Sequence, residues 1–201
     1  MPYTYDVFIS YKSGSLAGEW VRKYFYPELF KYLEAELPKT PSLFLDSEKI
    51  RAGMHWEPAL GNAIRGAKCL IAVLNAPYFT SDYCLMEWHS FRDREAKLGM
   101  GTAQNPSGLI IPIRFADGAH FDASAKRPQA IDMTGFAYTG DAFRDGQLFL
   151  VFQEQIRKLA RDLADGESGQ VAKPPDYEPW PVRPAKPEPP EPELDTLPRV
   201  Q

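Results

Sequence analysis

Residues 69–75 read CLIAVLN, an unbroken apolar run. A strand with one wet face alternates apolar and polar residues. A continuous run of this length reads instead as a strand covered on both faces, the habit of parallel sheets flanked by helices. Working outward toward the amino end, SLFLD (42–46) and YDVFISY (5–11) are short and rich in β-branched and aromatic residues, so both read as strands. Polar turn residues KSGS (12–15) follow the first. Toward the carboxyl end, LIIPIRF (109–115) is a further buried strand, with Pro112 expected to remove one ladder hydrogen bond. A short fifth strand is expected at 135–138.

The segments between the strands carry helical spacing. In 19–37 the apolar positions are Trp20, Val21, Tyr24, Phe25, Leu29, Phe30, Leu33 and Leu37. Pro27 lies inside that stretch and is expected to kink the helix or to start a second one. The loop 47–58 leads to a helix with Pro58 near its first turn and Leu60, Ala63, Ile64 and Ala67 on one face. Ser81 or Asp82 is expected to cap a helix over 83–97. A last helix over 147–164 has Leu148, Val151, Phe152, Ile156, Leu159 and Leu163 as its apolar stripe. Strands alternating with helices predict a flavodoxin-like, doubly wound, five-stranded parallel α/β sheet with helices on both faces. Such folds bind ligands beyond the carboxyl ends of the strands, at the switch point between the first and third. Here those ends are residues 10–15 and 75–87.

Composition divides the chain of 201 residues in two. Ten of the 19 prolines lie between Pro174 and Pro198, and no glycine follows Gly169. The expected organisation is a folded domain over 1–168 and a proline-rich disordered tail or linker over 169–201, extended and unable to form a core. A net charge of -4 leaves no basic excess for phosphate backbones, so nucleic acid is not an expected direct partner. No apolar run approaches the ~20 residues of a membrane span. MPYTYDVFIS lacks the features of a signal peptide. Two cysteines, Cys69 and Cys84, make neither a disulfide framework nor a zinc quartet, and a reducing, cytoplasmic setting is expected.

Two places could carry chemistry. Tyr83 and Glu87 are four apart and share a helix face bordering the expected site. A carboxylate beside an aromatic ring there suits positive charge developing on a sugar; the same pair also reads as an ordinary solvated helix surface. The loop SYKSGS (10–15) offers three serine hydroxyls, a cation and a glycine at the end of the first strand, suited to a phosphate or ribose, or equally to a plain turn. His55, His89 and His120 have no metal-ligand spacing, and no metal site is expected. Cys69 reads as core.

YDVFISY, LDSEKIRAGMHW before a proline-started helix, AKCLIAVLNAPYFTSDYCLMEW and IIPIRF, in this order and spacing, resemble the Toll/interleukin-1 receptor (TIR) domain family, in its bacterial and plant-like type rather than that of animal receptors. The resemblance covers about residues 3–165. It implies cleavage of NAD at the nicotinamide–ribose bond, with NAD as substrate and no cofactor. It implies that Glu87 is the catalytic glutamate, and that Tyr83 stands where the family often has Trp. Substrate contacts are implied for Ser10, Tyr11, Lys12, Ser13, Asp46 and Trp56. Ile50, Arg51, Gly53 and Met54 fall in the family's BB loop, which implies assembly with other TIR domains as a homo-oligomer or filament. Also implied are a sensor module beyond the linker and a place in bacterial immune signalling. The alternative is a scaffold that acts by self-association without catalysis. A receiver domain on the same fold needs clustered aspartates where this chain has Lys12 and Asn75.

Overall fold

The computed structural model describes residues 3–45, 56–118, 121 and 129–185, without the side chains of Trp56 and Glu57. Five strands form one parallel sheet in the order β2-β1-β3-β4-β5. They are β1 (Tyr5–Ser10), β2 (Leu43–Leu45), β3 (Ala67–Leu74), β4 (Ile110–Arg114) and β5 (Ile131–Asp132). This is the doubly wound, flavodoxin-like arrangement. β1 and β3 run side by side from Tyr5 opposite Ala67 to Ser10 opposite Ala72. The alternation of the pleat sorts their side chains into two cores. Val7, Ile9, Cys69, Ile71 and Val73 face one layer of helices, while Phe8, Leu70, Ala72 and Leu74 face the other.

The first layer holds α1 (Leu16–Trp20), α2 (Tyr26–Glu36) and α6 (Gln147–Ala164). A π-helical turn, Val21–Phe25, joins α1 to α2. Its last carbonyl bond is wide: Tyr26 N reaches back to Val21 O. Pro27, at the start of α2, has no N–H to offer Lys23 O, and the Arg144 guanidinium donates to that carbonyl instead at 3.0 Å. The helical path therefore passes the proline by widening one turn. Trp20 is fully buried here, and its indole N–H donates to Phe136 O at 2.8 Å.

The second layer holds α3 (Trp56–Gly66) and α4 (Asp82–Leu98), the latter ended by Gly99 in the left-handed conformation. Ser81 occupies the expected cap position, but its side chain makes no capping bond. Glu95, buried near the end of α4, accepts from the N–H groups of Leu109 and Ile110 with one oxygen and pairs with Arg92 through the other. It anchors the start of β4 from outside the sheet.

Three sequence expectations need correction. The fifth strand is Ile131–Asp132; the residues expected to form it begin instead within a 3-10 turn, Thr134–Phe136. Pro112 forfeits no ladder bond. Phe115 N donates to β3 at Leu74 O, and Met133 N donates to Arg114 O, so odd residues of β4 face β3 and even ones face β5. Pro112 thus faces a side where β5 begins only opposite Ile113. On α6 the buried stripe is Phe149, Phe152, Ile156, Leu159, Ala160 and Leu163, while Leu148 and Val151 are exposed. Phe143, on the short helix α5 (Ala142–Asp145), lies edge-on to Phe149 and draws that face of α6 inward.

The proline-rich stretch behaves as two parts. Residues 186–201 lie outside the described residues. After a turn that closes with Lys173 N donating to Gly169 O, the chain runs on to residue 185 as a strap across the body. Val171 N donates to Leu163 O, and Lys68 Nζ to Val171 O. Tyr3 OH donates to Pro175 O, and Lys97 pairs with Glu178. Trp180 is 1% exposed. Its ring covers the Arg94 guanidinium, which sits 5.0 Å from that ring and 4.3 Å from Phe91. Arg94 in turn donates to Ile64 O and Ala67 O, tying α4 to the end of α3. Composition favours an extended chain here. What composition hides is that one tryptophan among the prolines gives that chain something to bury.

Candidate active site

The carboxyl ends of β1 and β3 define the site. Ser10 is the last residue of β1, and its side chain falls on the α4 side of the sheet by the parity that places Phe8 there. β3 ends at Leu74, and the chain turns into a 3-10 helix, Ala76–Thr80. Asn75 caps that helix by accepting from Tyr78 N at 3.1 Å. The cap fixes Tyr78 pointing inward, where it is fully buried. α4 then begins, and Glu87 lies on its second turn, 3% exposed.

Three side chains meet. Ser10 Oγ donates to Glu87 Oε2, and Tyr78 OH lies 2.7 Å from Ser10 Oγ. Burial, then the neighbouring Cys84 and the Glu87 carboxylate, push the Tyr78 phenol well above its ordinary pKa, so it stays a neutral group at physiological pH. A buried carboxylate needs donors, and here a serine delivered by a different element supplies one.

Of the residues singled out in the sequence, Glu87 and Ser10 are brought together. Tyr83 lies one turn before Glu87, half-buried against the same cluster. Tyr11 does not join them. It is buried in the opposite layer, where its ring lies against Gly18 and beneath Arg22. A β-carbon at Gly18 would come within 3.1 Å of that ring, which is why glycine suits the position. Lys12 is half-buried and Ser13 exposed at the rim. The third hydroxyl of the loop, Ser15, caps α1 by accepting from Gly18 N. Asp46, Ile50, Arg51, Gly53 and Met54 lie outside the described residues, and of Trp56 only its place at the start of α3 is described. Tyr78 escaped the sequence reading. Its signal was the asparagine three residues before it, a capping residue just past a buried strand.

Among the described residues, no group of three or more His, Cys, Asp or Glu is placed to hold a metal ion. No helix among them is long and apolar enough to cross a membrane. Among the described residues, the site brings together one carboxylate, held by the Ser10 hydroxyl with Tyr78 behind it and bordered by an aromatic ring. That arrangement can orient a ligand hydroxyl and stabilise nearby positive charge.

A family model described as TIR domain matches residues 7–146. The chain belongs to the TIR domain family. Among curated proteins it is similar to the probable 2' cyclic ADP-D-ribose synthase BdTIR of Brachypodium distachyon, at 33% identity over 75 residues, covering 37% of this chain and 34% of that protein. The chain thus spans about a third of that relative's length. Among solved structures it is similar to the TIR domain of the Toll-related receptor TRR-2 of Hydra magnipapillata, at 19% identity and a TM-score of 0.44 over 76% of this chain and 98% of that one. It is also similar to the TIR domains of the activated Roq1 resistosome, which directly recognises the pathogen effector XopQ. The identity there is 20% and the TM-score 0.43, over 79% of this chain and 84% of that one.

Proposed function

We propose that this chain is an NAD-cleaving TIR effector, an NAD nucleosidase that breaks the nicotinamide–ribose bond, with Glu87 as the catalytic residue. The observation that carries the reading is the Glu87 carboxylate held by Ser10 at the carboxyl ends of β1 and β3. The name of the Brachypodium relative, a probable cyclic ADP-ribose synthase, supports the same substrate class.

The chemistry needs little beyond that group. The nicotinamide–ribose bond joins a cationic pyridinium to the ribosyl carbon. Its cleavage releases neutral nicotinamide, so the leaving group needs no proton. The transition state resembles an oxocarbenium ion. Glu87 accepts from ribose hydroxyls, orients the sugar and stabilises its developing charge. Tyr83 borders the sugar or base as an aromatic surface, and Lys12 and Ser13 lie at the rim. Water captures the ribosyl carbon to give the linear product, or a group of the nucleotide itself captures it to give a cyclic one. With Glu87 3% exposed, a ligand reaches it only after a neighbour moves, which suits a site opened by assembly with other TIR domains. On this reading the effector works in the cytoplasm, in bacterial immune signalling, with a sensor module beyond the carboxyl-terminal linker.

The same burial favours a second reading, a scaffold in which Glu87 only knits β1 to α4. The test is NAD consumption at high protein concentration by the native chain and by Glu87→Gln. Loss of cleavage in the variant with retained folding supports the enzyme; equal rates overturn it; no cleavage by either favours the scaffold.

A further inference from the structure

We propose that Tyr78 is a positioning residue for Glu87, acting through Ser10. The proposal rests on the catalytic role given to Glu87 above and concerns what holds that carboxylate in one place.

The direction of the hydrogen bonds follows from counting protons. Ser10 has a single hydroxyl proton, and it is directed to Glu87 Oε2. Ser10 Oγ therefore meets Tyr78 OH, 2.7 Å away, as an acceptor, and Tyr78 is the donor. The chain runs from Tyr78 O–H to Ser10 O–H to the Glu87 carboxylate. All three groups are buried, with Ser10 1% exposed, so bulk water is a poor substitute for any link.

The arrangement also restricts rotation. A serine hydroxyl alone turns about its Cβ–O bond and can choose among acceptors. With a donor fixed on its lone pair by Tyr78, its proton has one direction left, toward Glu87. Tyr78 is fixed in turn: Asn75 accepts from its backbone N–H, and its ring lies edge-on to Phe79 at 5.4 Å. Three elements, β1, the 3-10 helix and α4, thus converge on one carboxylate oxygen. Glu87 is left aimed by the fold before a ligand arrives, which is the condition for electrostatic stabilisation without reorganisation.

Tyr78→Phe removes the donor and keeps the ring. The expected result is a fall in kcat of about tenfold with KM for NAD within about twofold, because the lost order bears on the transition state rather than on general binding. Ser10→Ala breaks the link outright and lowers kcat at least as far. The double variant Tyr78→Phe/Ser10→Ala matches Ser10→Ala alone, since Tyr78 has no path to Glu87 once Ser10 is gone. A residue that merely supports the fold would instead multiply its effect onto Ser10→Ala. Full kcat in Tyr78→Phe, multiplied effects in the double variant, or loss of cooperative unfolding in Tyr78→Phe would each overturn the proposal. Glu87→Gln, assayed beside them, separates the two ideas. If it is inactive while Tyr78→Phe is fully active, only the relay fails. If it cleaves NAD at the native rate, or if the native chain does not cleave NAD when concentrated, the catalytic reading fails and the relay's catalytic role with it.

Discussion

Ser10 and Glu87 are 77 positions apart in sequence, and the serine hydroxyl donates directly to the glutamate carboxylate in the interior. Each is buried, and the bond gives the carboxylate a donor inside the fold. Ser10→Ala leaves Glu87 buried with one donor fewer, and a destabilisation of about 1–3 kcal/mol is expected. Urea unfolding with an unchanged slope and a lower midpoint checks this. A cost near zero would mean that other donors already satisfy the carboxylate.

The strap over α4 belongs to the folded body. Trp180→Ala empties a nearly fully buried indole site and uncovers the Arg94 guanidinium, so a loss of about 3–5 kcal/mol is expected. A chain ending at residue 170 loses the same contacts and unfolds at a lower temperature. Calorimetry on both distinguishes a docked strap from a tail that merely lies close. If stability is unchanged in both, residues 171–185 do not contribute to the fold in solution.

Arg183 holds that strap by an ion pair with Asp93, at 2.5 and 2.6 Å through Nε and Nη2, while its N–H donates to Ser90 Oγ. The guanidinium lowers the Asp93 pKa from its ordinary value. A depressed carboxylate contributes stability that is present above its unfolded pKa of about 4 and is lost as pH falls toward the folded value. Both side chains are about half exposed, so salt screens the pair and its share is small. Hydrogen-exchange protection of the backbone N–H groups in 180–185, taken relative to their intrinsic rates, is expected to fall below about pH 4 in the native chain, and Asp93→Asn removes that change in protection.

Cys69 lies near the start of β3, fully buried, and burial first, then Asp6, push its thiol up to about 12. Only a thiolate alkylates readily. Cys69 is expected to resist iodoacetamide at pH 8 in the folded protein and to react once the chain is unfolded. Mass spectrometry of labelled peptides reads the outcome directly. Rapid labelling of Cys69 in native protein would contradict its place in the core.

Glu95→Ala removes the acceptor shared by Leu109 N and Ile110 N and releases Arg92. Two backbone donors at the start of β4 lose their partner, and a cost of about 2–4 kcal/mol is expected, read by chemical denaturation. Glu95→Gln keeps one acceptor oxygen and costs less. The order of the two variants is the check.

The sheet was legible because its cause is local and periodic. CLIAVLN and LIIPIRF announce strands buried on both faces, and β3 and β4 lie where they were expected. β5 was misplaced because a two-residue strand leaves no period to read. Leu148 and Val151 fit a helical stripe as well as Phe149 does. Spacing finds a helix face only to within a residue, and the aromatic contact with Phe143 decides which edge of it turns in. The proline-rich stretch was read by composition, which averages away the one tryptophan that docks.

The site divides along the same line. Sequence alone determined that a carboxylate, Glu87, and a serine-bearing loop would stand at the carboxyl ends of neighbouring strands, because strand order and helix spacing follow from short-range patterns. Only the tertiary structure decided what those residues do there. It turned Tyr11 away into the opposite layer, spent Ser15 on a helix cap, and joined Ser10 to Glu87 with Tyr78 behind them. The reason is physical: which side of the sheet a strand-end side chain takes depends on its parity in the pleat, and which donor satisfies a buried carboxylate depends on three elements far apart in the chain arriving at one point.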